Sequence, residues 1–169
     1  LEIGCGTGWN LIQAARSYPN VRFYGFDISR EMLATARQNV AKSPEADRII
    51  LAEADATLFA SGAVFGTTTF DRVFTSYTLS MIPAWTKVLD QSVACLSQQG
   101  ALHVVDFGPG TGLPKASLIA LRRWLRLFDV CPRDDLQNEM MKLEKRENLV
   151  VRHESLFRGY AQHSVAERV

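Results

Sequence analysis

"LEIGCGTGWN", residues 1–10, places three glycines within five positions, directly after a short apolar run. An apolar run that ends in a glycine turn is typical of a buried strand that leads into a helix. Glycines at this density allow the backbone to approach a ligand closely. We therefore expect a first strand at 1–4 and a ligand-binding loop immediately after it.

The spacing of these glycines differs from that of two common phosphate-binding loops. A Walker loop requires GxxxxGK[ST], and no lysine follows the glycines here. The dinucleotide fingerprint is GxGxxG, whereas Gly4, Gly6 and Gly8 form GxGxG, with the third glycine one residue early. Glu2 lies just upstream, and a carboxylate suits a cationic ligand better than a pyrophosphate. The loop therefore predicts a ligand without phosphate.

Two further acids end the next two predicted strands. Asp27 lies nineteen residues after Gly8, the distance at which an acid holds the two hydroxyls of a ribose. Asp55 is placed to accept a hydrogen bond from an exocyclic amine such as adenine N6. Ligands of open parallel sheets bind at the carboxyl ends of the strands, where both acids belong. These features together predict a ligand that contains an adenosine and a positive centre but no phosphate. S-adenosylmethionine fits this description.

Strand-like and helix-like segments alternate along the chain. The predicted strands are 1–4, 21–27, 48–55, 71–77, 101–107, 149–156 and 161–168. The predicted helices are 9–18, 31–40 with Ser29 as N-cap, 85 to about 100, and 113–147 with a break near Pro132. This alternation predicts crossover connections and a mostly parallel sheet, with the last two strands as an antiparallel hairpin at one edge. The loop 60–69 is expected to replace a helix.

The composition and net charge of the chain limit which classes of function fit it. Apolar residues make up 47% of the 169 residues and the net charge is +1, so charge gives no argument for nucleic-acid binding. The three cysteines form no CxxC pair, which argues against a disulfide framework and a structural zinc site and favours a reducing, cytoplasmic setting. Because the chain starts inside a predicted strand, we expect one domain over 1–169 that lacks its N-terminal part.

Five segments together resemble the successive motifs of class I S-adenosylmethionine-dependent methyltransferases. They are "LEIGCGTG" (1–8), "YGFDIS" (24–29), "AEADAT" (52–57), "FDRVFTSYTLSMIP" (70–83) and "LSQQGALHVVDF" (96–107). The resemblance implies an α/β, Rossmann-like fold with a mostly parallel seven-stranded sheet and a C-terminal antiparallel hairpin. It also implies S-adenosyl-L-methionine as cofactor.

Roles for individual residues follow from the same resemblance. The glycines would line the methionine part of the cofactor, Asp27 would hold the ribose, Ile28 would pack on the adenine, and Asp55 with Ala56 would read the adenine edge. The predicted cofactor-binding residues are Glu2, Gly4, Cys5, Gly6, Gly8, Asp27, Ile28, Met32, Asp55, Ala56, Thr57 and Ser76. Tyr77 is the predicted catalytic residue, orienting the acceptor amine, and packing beside the cofactor is its alternative role. No obligatory base stands out.

The segment 106–130 is expected to serve the acceptor. "GPGTG" (108–112) is interpreted as a flexible hinge, and the helix after it carries Leu118, Leu121, Leu125 and Phe128 on one face. Lys115 and Arg122, Arg123 and Arg126 add four positive charges. Two interpretations fit a basic amphipathic helix: a core-facing helix with a solvated basic face, or peripheral membrane contact through 113–128.

A narrower resemblance bears on the acceptor. "NLIQAARSYPNVRFYGFDISREML" (10–33), "SYTLSMIPAW" (76–85), "LHVVDFG" (102–108) and "LFRGYA" (156–161) resemble the bacterial betaine-lipid N-methyltransferases. That family methylates the homoserine amine of diacylglyceryl-homoserine three times, which implies a lipid substrate. From charge, cysteines and the basic helix we expect no nucleic-acid partner and a cytoplasmic protein, peripheral at the inner face of the membrane. Open alternatives are another acceptor (a quinone precursor or phosphatidylethanolamine), a dinucleotide oxidoreductase, and a non-catalytic S-adenosylmethionine-binding module.

Overall fold

One seven-stranded sheet runs through the computed structural model, which describes residues 1–168. The strands are β1 (Glu2–Ile3), β2 (Phe23–Asp27), β3 (Ile49–Glu53), β4 (Phe70–Ser76), β5 (Leu96–Phe107), β6 (Leu149–Leu156) and β7 (Ala161–Arg168). Their order is β3-β2-β1-β4-β5-β7-β6, parallel from β3 to β5 and antiparallel for β5-β7 and β7-β6. The predicted fold class and its C-terminal hairpin are confirmed.

Six helices connect the strands within residues 1–168. They are α1 (Trp9–Ser17), α2 (Arg30–Ala41), α3 (Ser61–Phe65), α4 (Trp85–Ala94), α5 (Lys115–Arg126) and α6 (Leu136–Glu147). The predicted N-cap of α2 is confirmed, because the Ser29 side chain accepts a hydrogen bond from the Met32 amide. None of these helices is long and apolar enough to cross a bilayer.

Two clusters of buried apolar side chains hold the helices to the sheet. One contains Leu11 of α1 and Leu33 of α2, both with 0% exposure. The other contains Val88 of α4 and Met140 of α6, also with 0% exposure. Burying such a side chain stabilises the fold by about 1.5–3 kcal/mol. The clusters lie between the helices and the sheet, and the loops that follow the parallel strands lie at the carboxyl ends of those strands.

Three local predictions are corrected by the structure. Leu96 belongs to β5 and pairs with Phe70, so the helical stripe predicted to run to residue 100 ends at Ala94. The loop 60–69 contains the short helix α3. Asp55 lies two residues beyond the end of β3 at Glu53. In each case the apolar pattern was compatible with both structures, and tertiary packing decides between them.

The glycine segment 108–112 is held by backbone hydrogen bonds, contrary to the predicted flexible hinge. The amides of Gly108, Gly110 and Gly112 donate to the carbonyls of Tyr160, Gly159 and Arg158, at 2.8, 2.7 and 3.0 Å. The segment thereby extends the pairing of β5 with the β6–β7 connection. It ties the start of α5 to that connection at the carboxyl end of β5.

Candidate functional site

A cavity of about 680 Å³ opens at the carboxyl ends of β1, β2 and β4, beyond the glycine loop. The predicted residues that line it are Gly4, Gly6, Asp27, Ile28, Met32, Asp55, Ala56, Thr57, Ser76 and Tyr77. These residues come from four separate parts of the sequence. The topology therefore brings together most of the predicted cofactor residues, as expected for the carboxyl edge of a parallel sheet.

The glycine loop approaches the segment after β4 very closely. Gly4 has φ +69, and a Cβ at this position would overlap the side chain of Thr78. Gly8 is the N-cap of α1, and a Cβ there would lie 3.3 Å from the Cβ of Ala36 on α2. Close packing thus requires glycine at position 4, whereas at position 8 the positive φ of +74 favours it.

Asp27 connects the glycine loop to the beginning of α2. Its Oδ2 accepts a hydrogen bond from the Gly6 amide at 2.8 Å, and its Oδ1 accepts one from the Ser29 amide at 2.9 Å. Each carboxylate oxygen can accept a further bond, so the side chain remains able to bind ligand hydroxyls. Asp27 therefore has a second role, missed by the sequence prediction, in shaping the loop.

Asp55 sits in a tight turn with Thr57. Its Oδ1 accepts hydrogen bonds from the Thr57 amide at 2.8 Å and from the Thr57 hydroxyl at 2.7 Å. These bonds lower the pKa of Asp55, because they stabilise its charged form. The carboxylate is held in place with its second oxygen free to accept a hydrogen bond from a ligand.

Three of the predicted cofactor residues do not line the cavity. Cys5 is 5% exposed and packs in the cluster around α1, and burial raises the pKa of its thiol to about 12. Gly8 faces α2, as described above. Glu2 is 1% exposed and lies behind the glycine loop. Cys5 packs among the apolar side chains of the core, and for this reason it does not line the cavity.

The buried carboxyl of Glu2 is only partly satisfied. Its Oε1 accepts a hydrogen bond from Asn10 at 2.9 Å, while its buried Oε2 has no partner within residues 1–168. Desolvation by burial raises the pKa of Glu2 to about 7. A buried, unpaired carboxylate oxygen is costly, and a cationic group near the loop would stabilise it.

Several lining residues were missed by the sequence prediction. Thr78, Met81, Ile82, Pro83 and Ala84 follow β4 and close one side of the cavity. They belong to "SYTLSMIPAW" (76–85), whose resemblance to a methyltransferase motif was the available signal. Met81 is 59% exposed, so this wall is apolar and accessible. It would suit the adenine or the acceptor better than a charged group.

Among the lining residues, acids are present and Lys, Arg and His are absent. A site for a phosphate ordinarily offers cations or a helix N-terminus to the anion. Here the charged lining residues are Asp27 and Asp55, and Glu2 lies behind the loop. The charge distribution fits a cationic ligand with hydroxyl and amine donors.

Residues 1–100 match the family model described as a methyltransferase domain, which is more than half of the chain. The chain belongs to this family. This methyltransferase domain is 27% identical over 111 residues to malonyl-[acyl-carrier protein] O-methyltransferase of Halalkalibacterium halodurans, covering 66% of the chain and 40% of that protein. It is 32% identical over 101 residues to demethylmenaquinone methyltransferase of Symbiobacterium thermophilum, covering 59% and 39%.

Solved methyltransferases share the fold. Haemonchus contortus phosphoethanolamine N-methyltransferase 2, in complex with S-adenosyl-L-methionine, superposes with a TM-score of 0.73 and 24% identity, covering 92% of this chain and 34% of that one. Geranyl diphosphate C-methyltransferase of Streptomyces coelicolor A3(2) superposes with a TM-score of 0.72 and 13% identity, covering 99% and 70%. The chain spans about 40% of the length of the curated relatives named above.

S-adenosylmethionine is the cofactor of this methyltransferase domain, and the residues present fit it. The glycine loop allows close backbone approach, and the lining carries no cation that would repel a sulfonium. The unpaired Oε2 of Glu2 offers an acceptor close to that loop. Asp27 and Asp55 supply acceptors for hydroxyl and amine donors.

Replacing Glu2 by glutamine is expected to change how the stability of the methyltransferase domain depends on pH. The folded pKa is about 7 and the reference value is 4.5, so the folded state binds more protons between these values. The contribution of Glu2 to stability therefore falls as pH rises from 4.5 to 7, by up to about 3 kcal/mol. Urea unfolding at pH 5 and pH 8 should show Glu2→Gln losing less stability than the wild type over this range. Glu31→Gln, an exposed acid on α2, is the control. Parallel pH profiles for Glu2→Gln and wild type would contradict this prediction.

Helix α5 has apolar side chains on two faces. Leu125 is 2% exposed, and Leu118 and Leu121 on the same face are half-buried. A second set points to solvent: Ile119 is 61% exposed, Trp124 54%, Leu127 78% and Phe128 57%. Phe128, predicted on the same face as Leu125, belongs with the exposed set. The core therefore accounts for only one apolar face of α5.

The β6–β7 connection adds to this exposed surface. Phe157 is 75% exposed, and the next residue, Arg158, accepts the hydrogen bond from Gly112 just before α5. Ala161, where β7 begins, pairs with Phe107, where β5 ends. Phe157 and α5 therefore lie at the same edge of the sheet as the cavity.

The cations around this surface differ in their pairing. Arg122 forms an ion pair with Asp134 at 2.7 Å. Lys115, Arg123 and Arg126 are exposed and form no ion pair within residues 1–168. Asp129 is the exposed acid next to them. We name the set formed by Ile119, Trp124, Leu127, Phe128, Phe157 and these three cations the basic apolar surface.

Proposed function

We propose that the protein transfers methyl groups from S-adenosylmethionine to the amine of a diacylglyceryl-homoserine headgroup, in betaine-lipid synthesis. The observation that carries the lipid part is the basic apolar surface at the same sheet edge as the cavity. The sequence resemblance to betaine-lipid N-methyltransferases supports the choice of amine. The solved phosphoethanolamine N-methyltransferase 2 shares the fold.

The residues of the cavity have separate roles in this proposal. S-adenosylmethionine supplies an electrophilic methyl group on a positively charged sulfur. Asp27 binds the ribose hydroxyls, Asp55 and Ala56 read the adenine edge, and Ile28 packs on the adenine face. The glycine loop holds the methionine part, and the buried carboxyl of Glu2 lies behind it. The protein mainly positions the reactants and excludes water.

Tyr77 orients the acceptor amine in this proposal. An amine with a pKa between ~8 and ~10 is neutral in about one molecule in ten to one in a thousand at pH 7, which costs ~1.4–4 kcal/mol. Transfer to an apolar site and proximity to the sulfonium both favour the neutral form. Burial raises the pKa of Tyr77, so its phenol is neutral and can donate or accept a hydrogen bond.

Peripheral contact with the inner face of the cytoplasmic membrane, through 113–128, is part of the proposal. Apolar side chains that insert into the headgroup region and cations that meet anionic lipid act together at such surfaces. Each basic residue near an anionic surface contributes about 1 kcal/mol. A lipid acceptor would thereby reach the cavity without leaving the bilayer.

Acidic substitutions at the exposed apolar residues Trp124 and Leu127 should strongly weaken vesicle binding. The double variant Trp124→Glu/Leu127→Glu removes two exposed apolar side chains and adds two negative charges. We expect the fraction of full-length protein that floats with equimolar phosphatidylglycerol–phosphatidylcholine vesicles to fall by at least about 10-fold. Tyr18→Glu, an equally exposed aromatic residue after α1, is the control and should float like the wild type. Equal flotation of the α5 variant and the wild type would disprove the contact.

The function itself is tested by identifying a methylated product. Full-length protein is incubated with S-adenosylmethionine labelled in its methyl group and with total lipids, and labelled lipids are separated and identified. The proposal requires label in the trimethylated headgroup of the betaine lipid. Label in phosphatidylethanolamine derivatives alone would overturn the acceptor but keep the methyltransferase activity. Cofactor binding without transfer to any lipid would overturn the function.

A quinone precursor is a second candidate acceptor. The similarity to demethylmenaquinone methyltransferase favours it, and an apolar quinone would also be delivered from a membrane. The same labelling experiment separates the two candidates, because a quinone product lacks the quaternary nitrogen. A labelled quinone and an unlabelled betaine headgroup would replace the first proposal with the second.

A further inference from the structure

Three aromatic rings stand in a row beside the cavity. The ring of Tyr77, after β4, lies 4.7 Å from the ring of Phe107, at the end of β5. The Phe107 ring lies 5.7 Å from that of Tyr160, just before β7, at an interplanar angle of 87°. Tyr77 lines the cavity and is 36% exposed, while the other two are half-buried. The row leads from the cavity toward the β6–β7 connection.

The backbone of Tyr77 is strained. Its φ is +53, in the left-handed region that is unfavourable for a residue with a side chain. A hydrogen bond of 2.8 Å from its amide to the carbonyl of Val105 holds it there. Such strain is concentrated at functional sites, where the side chain rather than the backbone is needed. Glycine would relieve the strain but would remove the ring.

A buried carboxyl group lies near these rings. Asp106 is 0% exposed, and its two oxygens accept hydrogen bonds from the amides of Ser80 at 3.0 Å and Phe107 at 2.7 Å. Burial raises the pKa of Tyr77, and Tyr160 and Asp106 add to this rise, so the phenol carries no charge. Neither tyrosine hydroxyl forms a hydrogen bond within residues 1–168. Tyr77 therefore brings an aromatic ring and a hydroxyl to the cavity, with the rings of Phe107 and Tyr160 and the Asp106 carboxyl group next to it.

We propose that Tyr77, Phe107 and Tyr160 form a subsite that binds the methylated ammonium group of the product. Aromatic faces attract quaternary ammonium groups, which present weakly hydrated methyl groups around a positive charge. The proposal rests on the proposed N-methylation for the identity of the acceptor, and it adds where the nitrogen binds. Affinity at this subsite should rise with each methyl group that the nitrogen gains.

Choline and its neutral isostere 3,3-dimethylbutanol test the subsite directly. The two molecules have similar shape, and the isostere has carbon in place of the charged nitrogen. We expect full-length protein saturated with S-adenosylhomocysteine to bind choline about 10-fold more tightly than the isostere in calorimetric titrations. Equal binding of the two, or binding of neither, would overturn the proposal.

Variants at the tyrosines separate ring, hydroxyl and packing contributions. Tyr77→Leu and Tyr160→Leu should lose the preference for choline, whereas Tyr77→Phe and Tyr160→Phe should retain it, because phenylalanine keeps the aromatic face. Tyr18→Leu, far from the cavity, is the control and should bind like the wild type. A preference that survives both leucine substitutions would exclude these rings. Thermal unfolding of each variant checks that a loss of binding is not a loss of fold.

The outcomes for subsite and function are distinguishable. Choline preference together with no methylated lipid amine would retain the subsite and reject the proposed acceptor. A labelled betaine headgroup with no choline preference would retain the function and reject the subsite.

Discussion

Replacing Asp27 by asparagine is expected to weaken S-adenosylmethionine binding by about 100-fold or more, or about 2.7 kcal/mol. Both carboxylate oxygens accept from backbone amides, at Gly6 and at Ser29. Asparagine keeps the shape but offers an NH₂ group where one oxygen stood, so an amide donor of the loop faces another donor. The charge-assisted bonds to the proposed ribose hydroxyls are lost as well, and each such bond contributes about 1.5–3 kcal/mol.

Calorimetric titration with the cofactor measures this effect, and Glu53→Gln is the matched control. Glu53 is the residue of β3 that pairs with Asp27 across the sheet, and it does not line the cavity. It should leave cofactor affinity within about 2-fold, since it only loses an exposed ion pair with Arg30. Near-normal affinity of Asp27→Asn for S-adenosylmethionine would contradict the proposal that Asp27 binds the ribose. Circular dichroism should show that both variants remain folded.

Gly4→Ala is expected to lower the free energy of unfolding by about 3 kcal/mol or more and to abolish cofactor binding. The positive φ of Gly4 costs alanine about 1–2 kcal/mol. The remainder comes from overlap of the new Cβ with the Thr78 side chain, whose Oγ1 would lie 2.9 Å away. Relief of that overlap must move either the glycine loop or the wall of the cavity.

Gly66→Ala separates backbone strain from overlap. Gly66 has nearly the same φ, +70, but nothing lies within 4 Å of a Cβ at that position. Urea unfolding should therefore show a loss of only about 1 kcal/mol for Gly66→Ala. Adding Thr78→Ser to Gly4→Ala removes the overlapping methyl group and should restore at least about 1 kcal/mol. Equal losses for Gly4→Ala and Gly66→Ala would show that overlap contributes nothing.

The parts of the fold that were predictable are those where pattern and spacing agree. The bounds of the final hairpin, Leu149–Leu156 and Ala161–Arg168, follow from two strand-like runs too close for a crossover. The glycine spacing and the position of Asp27 after an apolar run predicted the edge at which the cavity lies. Those residues are local signals, readable without knowledge of tertiary contacts.

The other features of the fold and the site depend on tertiary packing, which cannot be predicted from the pattern of a single sequence. Leu96 fits the apolar stripe of α4 as well as the start of β5, and its pairing with Phe70 shows that it belongs to β5. The periodicity of α5 is compatible with burial of either apolar face. The proximity of Tyr160 to Phe107 joins residues 53 positions apart in sequence, through the pairing of β5 with β7.

The three backbone hydrogen bonds from 108–112 to 158–160 limit how the two loops can be exchanged. Segment 108–112 leads into α5, and Gly108 bonds to the backbone of Tyr160. These bonds join the two loops, which we call the strap; α5 follows one loop, and Tyr160 lies in the other. Exchanging one loop for that of another methyltransferase would break the strap. We therefore expect an engineered change of acceptor to need both loops exchanged as a pair.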